Sequence, residues 1–335
     1  MGKVNFFILR NGIIERKHNT IYFTFKDEEG NLQKRILPAE KIYSIYAYGR
    51  VTIKSGALSY LMKLGIPVHF FNMHGYYEGS MWPRESLVSG DVLVKQVEHY
   101  LDKDKRLEIA REFVRGSLEN TVLNLRYYER KGLELGKEIE KIKEILNSID
   151  SAGNIPELMS SEGRCKEIYY RSWNRFLPEK FRFEKRTRRP PENMINALVS
   201  FGNQLVYSVC LTEIYNTQLN PTVSYLHEPF ERRFSLALDI AEVFKPLLAD
   251  RTVFRIIRQE KIDEKYFRKE LNSCVLNEKG KRKFLEIFEN RLKTTIKHRS
   301  LGRKVSYQRL IRLECYKLIK HLIGMKKYRA FRIWW

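Results

Sequence analysis

No stretch of this 335-residue chain approaches the uninterrupted apolar length of about 20 residues that a bilayer span needs, so the sequence predicts a soluble protein. Cysteine is scarce, and Cys165, Cys210, Cys274 and Cys315 stand too far apart for a zinc knuckle or a redox pair. They are expected to be reduced core residues of a cytoplasmic protein. The opening MGKVNFFILRNG does not read as a signal peptide, and Phe6 stands where a myristoylation site requires Ser or Thr. Internal repeats, low-complexity linkers and any Ser-His-Asp or Cys-His arrangement for nucleophilic catalysis are missing too. Negative charge is the last shortage: 40 Asp and Glu stand against 62 Lys and Arg, a net charge of +22.

That excess is concentrated. From Arg251 onward there are 25 basic and 8 acidic residues, a surplus of +17, whereas the first 250 residues carry +5. So one-sided a field favours a polyanionic partner, nucleic acid first and an anionic membrane surface second. Hydrophobic residues at 43% and aromatics at 13% place the chain among globular proteins, and its length suits two domains.

The first 80 or so residues alternate like strands: VNFFIL, then TIYFTF with a period of two, a turn at KDEEGN, KIYSIYAY and the β-rich IPVHFF. SGALSYLMKLG predicts one short helix from Ser55 to Gly65. His69 and His74 have no acids nearby in sequence and read as packing or surface residues. Near MWPRESLVSGD the pattern changes, and from about Val94 helical periodicity dominates to the end. LGKEIEKIKEILNSID is amphipathic, and PPENMINALVSFGNQLVYSVCLTEIYNTQLNP, apolar nearly all round, predicts a central buried helix closing at Asn220-Pro221. The expected fold is α+β: a small N-terminal β-sandwich-like domain over residues 1–88, then a larger all-α domain over 89–335.

Within YLHEPFERRFSLALDIAEVF, residues 225 to 244, two acids lie inside an apolar run. Ser235 can cap a helix that Pro246 would end, which puts Asp239 and Glu242 three apart on one face. Like charges in apolar surroundings need a cation or a proton between them. His227 reaches the same neighbourhood from the end of TVSYLH. Glu162 lies one turn before the apolar stripe Cys165, Tyr169, Trp173 and Phe176, and so faces inward. Imidazole with two or three carboxylates suits Mg²⁺ or Mn²⁺, ions that polarise a phosphodiester. Structural alternatives exist for each: Glu162 answering a helix dipole, Asp239 paired with Arg232 or Arg233, His227 hydrogen-bonded in the core. Glu228 and Glu231 read as solvated. The basic run EKRTRRPP, with Arg186, Arg188 and Arg189, could contact phosphate.

The succession SSEGR, RRPPENMINALVSFGNQLVY, LNPTVSYLHEP and FSLALDIAEVFKPLLADR resembles the CRISPR-associated integrase, the metal-dependent DNA endonuclease and transesterase of spacer acquisition. The likeness extends over the whole chain and is densest from Glu162 to Arg251. It implies that Glu162, His227 and Glu242 are metal ligands, with Asp239 as an auxiliary acid of the catalytic group. Asn196 and Tyr207 fall on the family's central-helix pattern as site-lining or supporting residues. Where the family more often has Gly-Phe before Leu-His, this chain has Ser224-Tyr225, and Val243 and Lys245 depart from the usual Glu-Glu-Phe-Arg-Pro. The resemblance also implies a homodimer built around the β domain, and a small ferredoxin-like CRISPR-associated partner that bridges two dimers. The expected reaction joins the 3′-hydroxyl of a short DNA to a phosphodiester at the border of a CRISPR repeat. The rival expectation is an architectural DNA-binding protein whose basic C-terminal region does the binding and whose buried acids are structural.

Overall fold

The computed structural model describes residues 3–72, 74–85, 87–230 and 234–335, and the chain divides into two compact units, Met1–Ser86 and Leu87–Trp335. In the first unit, β1 (Val4–Ile8), β2 (Gly12–Lys17), β3 (Thr20–Lys26), β4 (Leu32–Leu37), β5 (Ile42–Ala47), β6 (Val51–Ile53), β7 (Val68–Phe71) and β8 (Tyr77–Met81) form two four-stranded sheets. Their orders are β1-β5-β7-β8 and β4-β3-β2-β6. The alternation in TIYFTF turns Ile21, Phe23 and Phe25 into a core they share with Ile8, Ile45 and Val68 of the other sheet. Helix α1 (Ser55–Lys63) adds Ala57 and Leu61 to that core. His69 is buried with Nδ1 2.6 Å from the Ser80 hydroxyl, and burial pulls its pKa down to about 3, while His74 is exposed.

The second unit is built on α2 (Gly90–Leu101), α3 (Lys103–Glu129), α4 (Gly136–Ser148), α5 (Ile155–Ser172), α6 (Met194–Tyr215), α7 (Ser235–Lys245), α8 (Arg251–Arg258), α9 (Glu278–Lys293) and α10 (Tyr307–Leu322). It also carries two short hairpins, which helical periodicity does not register because their arms have only three or four residues: β9 (Phe267–Glu270) with β10 (Ser273–Leu276), and β11 (Thr295–Lys297) with β12 (Lys304–Ser306). The order of strands followed by helices is as expected. All four cysteines are buried and free.

Helix α6 is buried as expected, although by length and composition alone it is long and apolar enough to cross a membrane. Its most apolar window is 78% buried among the other helices, so here the apolar surface is spent on a protein core. It ends at Tyr215, five residues before Asn220, where the Asn216 amide donates back to Thr212. Helix α7 departs from expectation at both ends. Ser235 is its first helical residue and donates its hydroxyl to Thr222 O at 2.8 Å instead of capping. Pro246 does not stop the chain's coil, because a π-helical turn over Pro246–Asp250 leads directly into α8. A proline has no N–H to give, and the wider turn accommodates that loss.

Candidate metal centre

Helix α5 is anchored by a reciprocal cap: Asn154 Oδ1 accepts from Glu157 N at 3.0 Å, and Glu157 Oε2 accepts from Gly153 N at 2.8 Å. Glu162, whose side chain is 13% exposed, follows on this helix. Lys166 follows one turn later on the same face and pairs with Glu162.

On α7, Asp239 is fully buried and its charge is answered by the segment that precedes the helix. Oδ2 accepts from Tyr225 N at 2.7 Å and Leu226 N at 3.0 Å, and Oδ1 accepts from His227 N at 3.0 Å. The same Oδ1 lies 2.7 Å from His227 Nδ1. Both oxygens are therefore engaged, and the imidazole is held through Nδ1 with Nε2 turned away from Asp239. Arg232 and Arg233, the alternative partners for Asp239, lie outside the described residues, as does Glu231.

Glu242, one turn on, is 5% exposed, with Oε2 2.5 Å from Lys166 Nζ and Oε1 paired with Lys245. Burial pushes its carboxyl up, but the charges of Lys166, Lys245 and His227 outweigh that and hold it well below the usual carboxylate range. Burial works against the Lys166 ammonium too, and the Glu162 and Glu242 carboxylates more than compensate, so its affinity for the proton rises. Lys245 keeps a depressed pKa because burial dominates there.

Lys166 Nζ thus occupies the point where carboxylates from two helices converge. Among the described residues, no three His, Cys, Asp or Glu side chains stand together at metal-holding distances, and Lys166 lies between Glu162 and Glu242. The donor chemistry nevertheless fits a hard dication: two carboxylates already converge on one cation, and an imidazole adjoins them whose Nδ1 is tied and whose other nitrogen is left to ligate. Glu162, Glu242 and His227 Nε2 are the donors that would hold it, and Asp239 is placed to orient the imidazole.

The remaining expected residues are distributed differently. Asn196 is fully buried and ties the basic run to α6: its Oδ1 accepts from Arg186 Nη1 at 3.0 Å and from Thr187 N at 3.2 Å, and its Nδ2 donates to Lys185 O at 2.8 Å. Arg186 also donates to Ser200 Oγ at 2.9 Å, so it braces this loop against the helix. Arg188 and Arg189 are exposed, and Tyr207 is half-buried on α6. Glu228, read as solvated, is exposed but accepts from Arg106 Nη2 at 2.6 Å, which fastens the segment after His227 to α3.

Three charges, two half-buried and one buried, escaped the sequence reading. Lys166 and Lys245 stand four and three residues beyond the two glutamates, a helical spacing that could have flagged both. Asp250 had no such signal. It is 3% exposed, accepts from the Tyr169 hydroxyl at 3.1 Å, and burial pushes its carboxyl up to about 7.

Residues 6–290 match the family model described as CRISPR associated protein Cas1. A CRISPR-associated endonuclease Cas1 of Methanothermobacter thermautotrophicus is 54% identical over 335 residues, covering 100% of this chain and 96% of the relative. A Cas1 protein structure from Thermotoga maritima superposes with a TM-score of 0.85 at 38% identity, covering 98% of this chain and all of that one. A casposase bound to an integration product shares the fold, with a TM-score of 0.88 at 22% identity over 98% of this chain and 93% of that one.

Proposed function

The chain belongs to the Cas1 family of CRISPR-associated endonucleases, and on that premise we propose that it is a divalent-metal-dependent DNA endonuclease and integrase of CRISPR adaptation, serving antiviral defence. It joins the 3′-hydroxyl of a spacer DNA to a phosphodiester at a CRISPR repeat border, and with water as the nucleophile it nicks branched DNA. The observation that carries this reading is the convergence of Glu162 and Glu242 on one cation position beside an imidazole fixed by Asp239.

Bound there, Mg²⁺ or Mn²⁺ supplies positive charge to the phosphodiester under attack. Glu162, Glu242 and His227 Nε2 would hold the ion. Asp239 keeps the His227 Nδ1 proton in place, so the ring presents Nε2 in one orientation. Lys166 and Lys245 keep two further positive charges beside the acids, available to a substrate phosphate. The reaction needs no protein nucleophile; positioning and electrostatics suffice.

The basic C-terminal stretch holds DNA by its phosphates. Self-association through the β unit is supported by Leu32 and Ile36, 72% and 63% exposed on edge strand β4, which give apolar surface to a second copy. Two-ended insertion requires two active sites at a fixed spacing, which the small ferredoxin-like partner supplies between dimers. The protein works in the cytoplasm.

The decisive assay is nicking and strand transfer on branched DNA with Mg²⁺, Mn²⁺ or EDTA, for the intact chain and for Glu242→Gln. The reading expects activity only for the intact chain with metal, and half-site products until the partner is added. Metal-independent binding without any strand cleavage or joining would favour the architectural DNA-binding protein instead.

A further inference from the structure

Away from the acids, a cavity of about 670 Å³ opens between the end of α3, helix α8 and α9. The last turn of α3 contributes Arg126, the turn after it Arg130 and Lys131, and α8 contributes Arg255 and Arg258. Arg251 and Arg291 form its floor, with Arg251 Nε donating to Asn124 Oδ1 at 2.6 Å and Arg291 Nη2 donating to Arg251 O at 3.3 Å. No Asp or Glu lines the cavity, and none of these seven cations has a carboxylate partner among the described residues, in a unit where ion pairs are otherwise common.

Such crowding needs a reason. The carbonyl ends of α3 and α8 ease the cost for the rim cations, since Arg126, Arg255 and Arg258 lie in last turns. Arg291 lies in the last turn of α9 and is eased in the same way, yet its Nε is buried without a hydrogen-bond partner, and Arg251 begins α8. Burial, then the neighbouring Arg251, lowers the Arg291 pKa to about 10. Two guanidinium groups held together with no acid are compensated when an anion arrives. The walls are aromatic: Tyr128 and Phe254 are buried, while Tyr127 and Trp335 are 51% and 43% exposed and present ring surface at the mouth. Arg258 lies 5.2 Å from the Tyr128 ring centroid, and Lys131 4.6 Å from that of Tyr127.

We propose that this cavity is a second nucleic-acid subsite that takes one unpaired nucleotide of a DNA strand, its phosphate on the guanidinium floor and its base against Tyr127 or Trp335. The choice of a DNA strand rests on the function proposed above; the chemistry recognised, a nucleoside phosphate, is shared by a free nucleotide. A duplex keeps its bases stacked inside and could meet only the rim, whereas an unpaired residue offers both a phosphate and a ring face. The subsite shares no lining residue with the metal-site acids. Asn124 lies between the two regions, because its amide also donates to the Tyr169 hydroxyl at 3.0 Å.

The test is fluorescence anisotropy of a short labelled oligo-dT on the full-length chain across a salt series. Arg255 and Arg258 are exposed, so the double charge reversal Arg255→Glu/Arg258→Glu keeps the fold, which a melting curve checks. It is expected to weaken oligo-dT binding by roughly tenfold or more and to reduce the salt slope by about 1.4. The equal reversal Lys320→Glu/Lys326→Glu, outside the cavity, takes the same charge from the basic stretch and should cost clearly less, about threefold or below. Tyr127→Ala should lose roughly fivefold with the salt slope unchanged. Equal losses from the two double reversals, or no loss in Tyr127→Ala together with none in Trp335→Ala, would overturn the subsite. Displacement of the oligonucleotide by dTMP or ATP at matching concentrations would overturn the strand as occupant. Glu242→Gln separates the two proposals: the subsite predicts that it binds oligo-dT like the intact chain, while retained cleavage by that variant would sink the metal-site reading alone.

Discussion

Asp239 grips His227 twice through one oxygen: Oδ1 accepts the His227 backbone N–H at 3.0 Å and lies 2.7 Å from Nδ1 of the same residue's ring. With Oδ2 on Tyr225 N and Leu226 N, one buried carboxylate organises a three-residue segment and its histidine. Asp239→Ala leaves two buried N–H groups and one half-buried one unpaired and is expected to lower unfolding stability by roughly 3 kcal/mol. Asp239→Asn keeps the shape and should cost less stability, yet lose strand transfer because the ring is no longer held in one tautomer. Urea unfolding beside a strand-transfer assay separates the two effects; an active Asp239→Asn would show that the ring needs no carboxylate.

Chemistry and DNA affinity are expected to part at the donor residues. Glu162→Gln, His227→Ala and Glu242→Gln should each reduce strand transfer by roughly a hundredfold or more, with duplex affinity within about twofold, because the phosphates are held elsewhere. A His227→Ala protein of near-normal activity at saturating Mn²⁺ would remove the imidazole from the ligand set.

Lys166 pairs with the two carboxylates that the proposed dication would need, so the two would compete. In EDTA, Lys166→Met leaves Glu162 and Glu242 with Lys245 as their nearest cation and is expected to melt below the intact chain. Mn²⁺ should then raise its melting temperature by more than it raises that of the intact chain, where the ion must first displace an ammonium. Equal Mn²⁺ increments in differential scanning calorimetry would show that Lys166 leaves the acids at no cost.

Asp250 sets a pH dependence. In the folded chain burial keeps its proton until about pH 7, whereas an unfolded aspartate releases it near 4. Between those values unfolding releases a proton, so acidification favours the folded state and this contribution is lost as pH rises through about 7. Asp250→Asn fixes a neutral side chain. It should melt above the intact chain at about pH 8, with the gap closing toward about pH 5. A gap that does not change with pH would place the Asp250 carboxyl in the ordinary range.

Much of the architecture is written in local pattern. TIYFTF alternates because every second residue enters the shared core, and α6 is apolar nearly all round because protein surrounds it; neither inference needs a partner residue to be known. The residue types at 162, 227, 239 and 242 raise the expectation of a site for hard cations before any distance is available.

What each acid does was decided by tertiary structure. Asp239 and Glu242 are the same kind of group three residues apart, and sequence treats them as a pair. Folding gives Asp239 three backbone amides and an imidazole from the segment just before its helix, which uses up both oxygens, and turns Glu242 toward Lys166 on a helix more than seventy positions earlier. The same holds for Asp250, whose burial depends on Tyr169, and for the cationic cavity, whose arginines come from the end of α3, from α8 and from α9. Hydrogen bonds and desolvation act over a few ångströms in space, and the order of residues fixes those separations only within one helix or strand; between elements the packing of the core sets them.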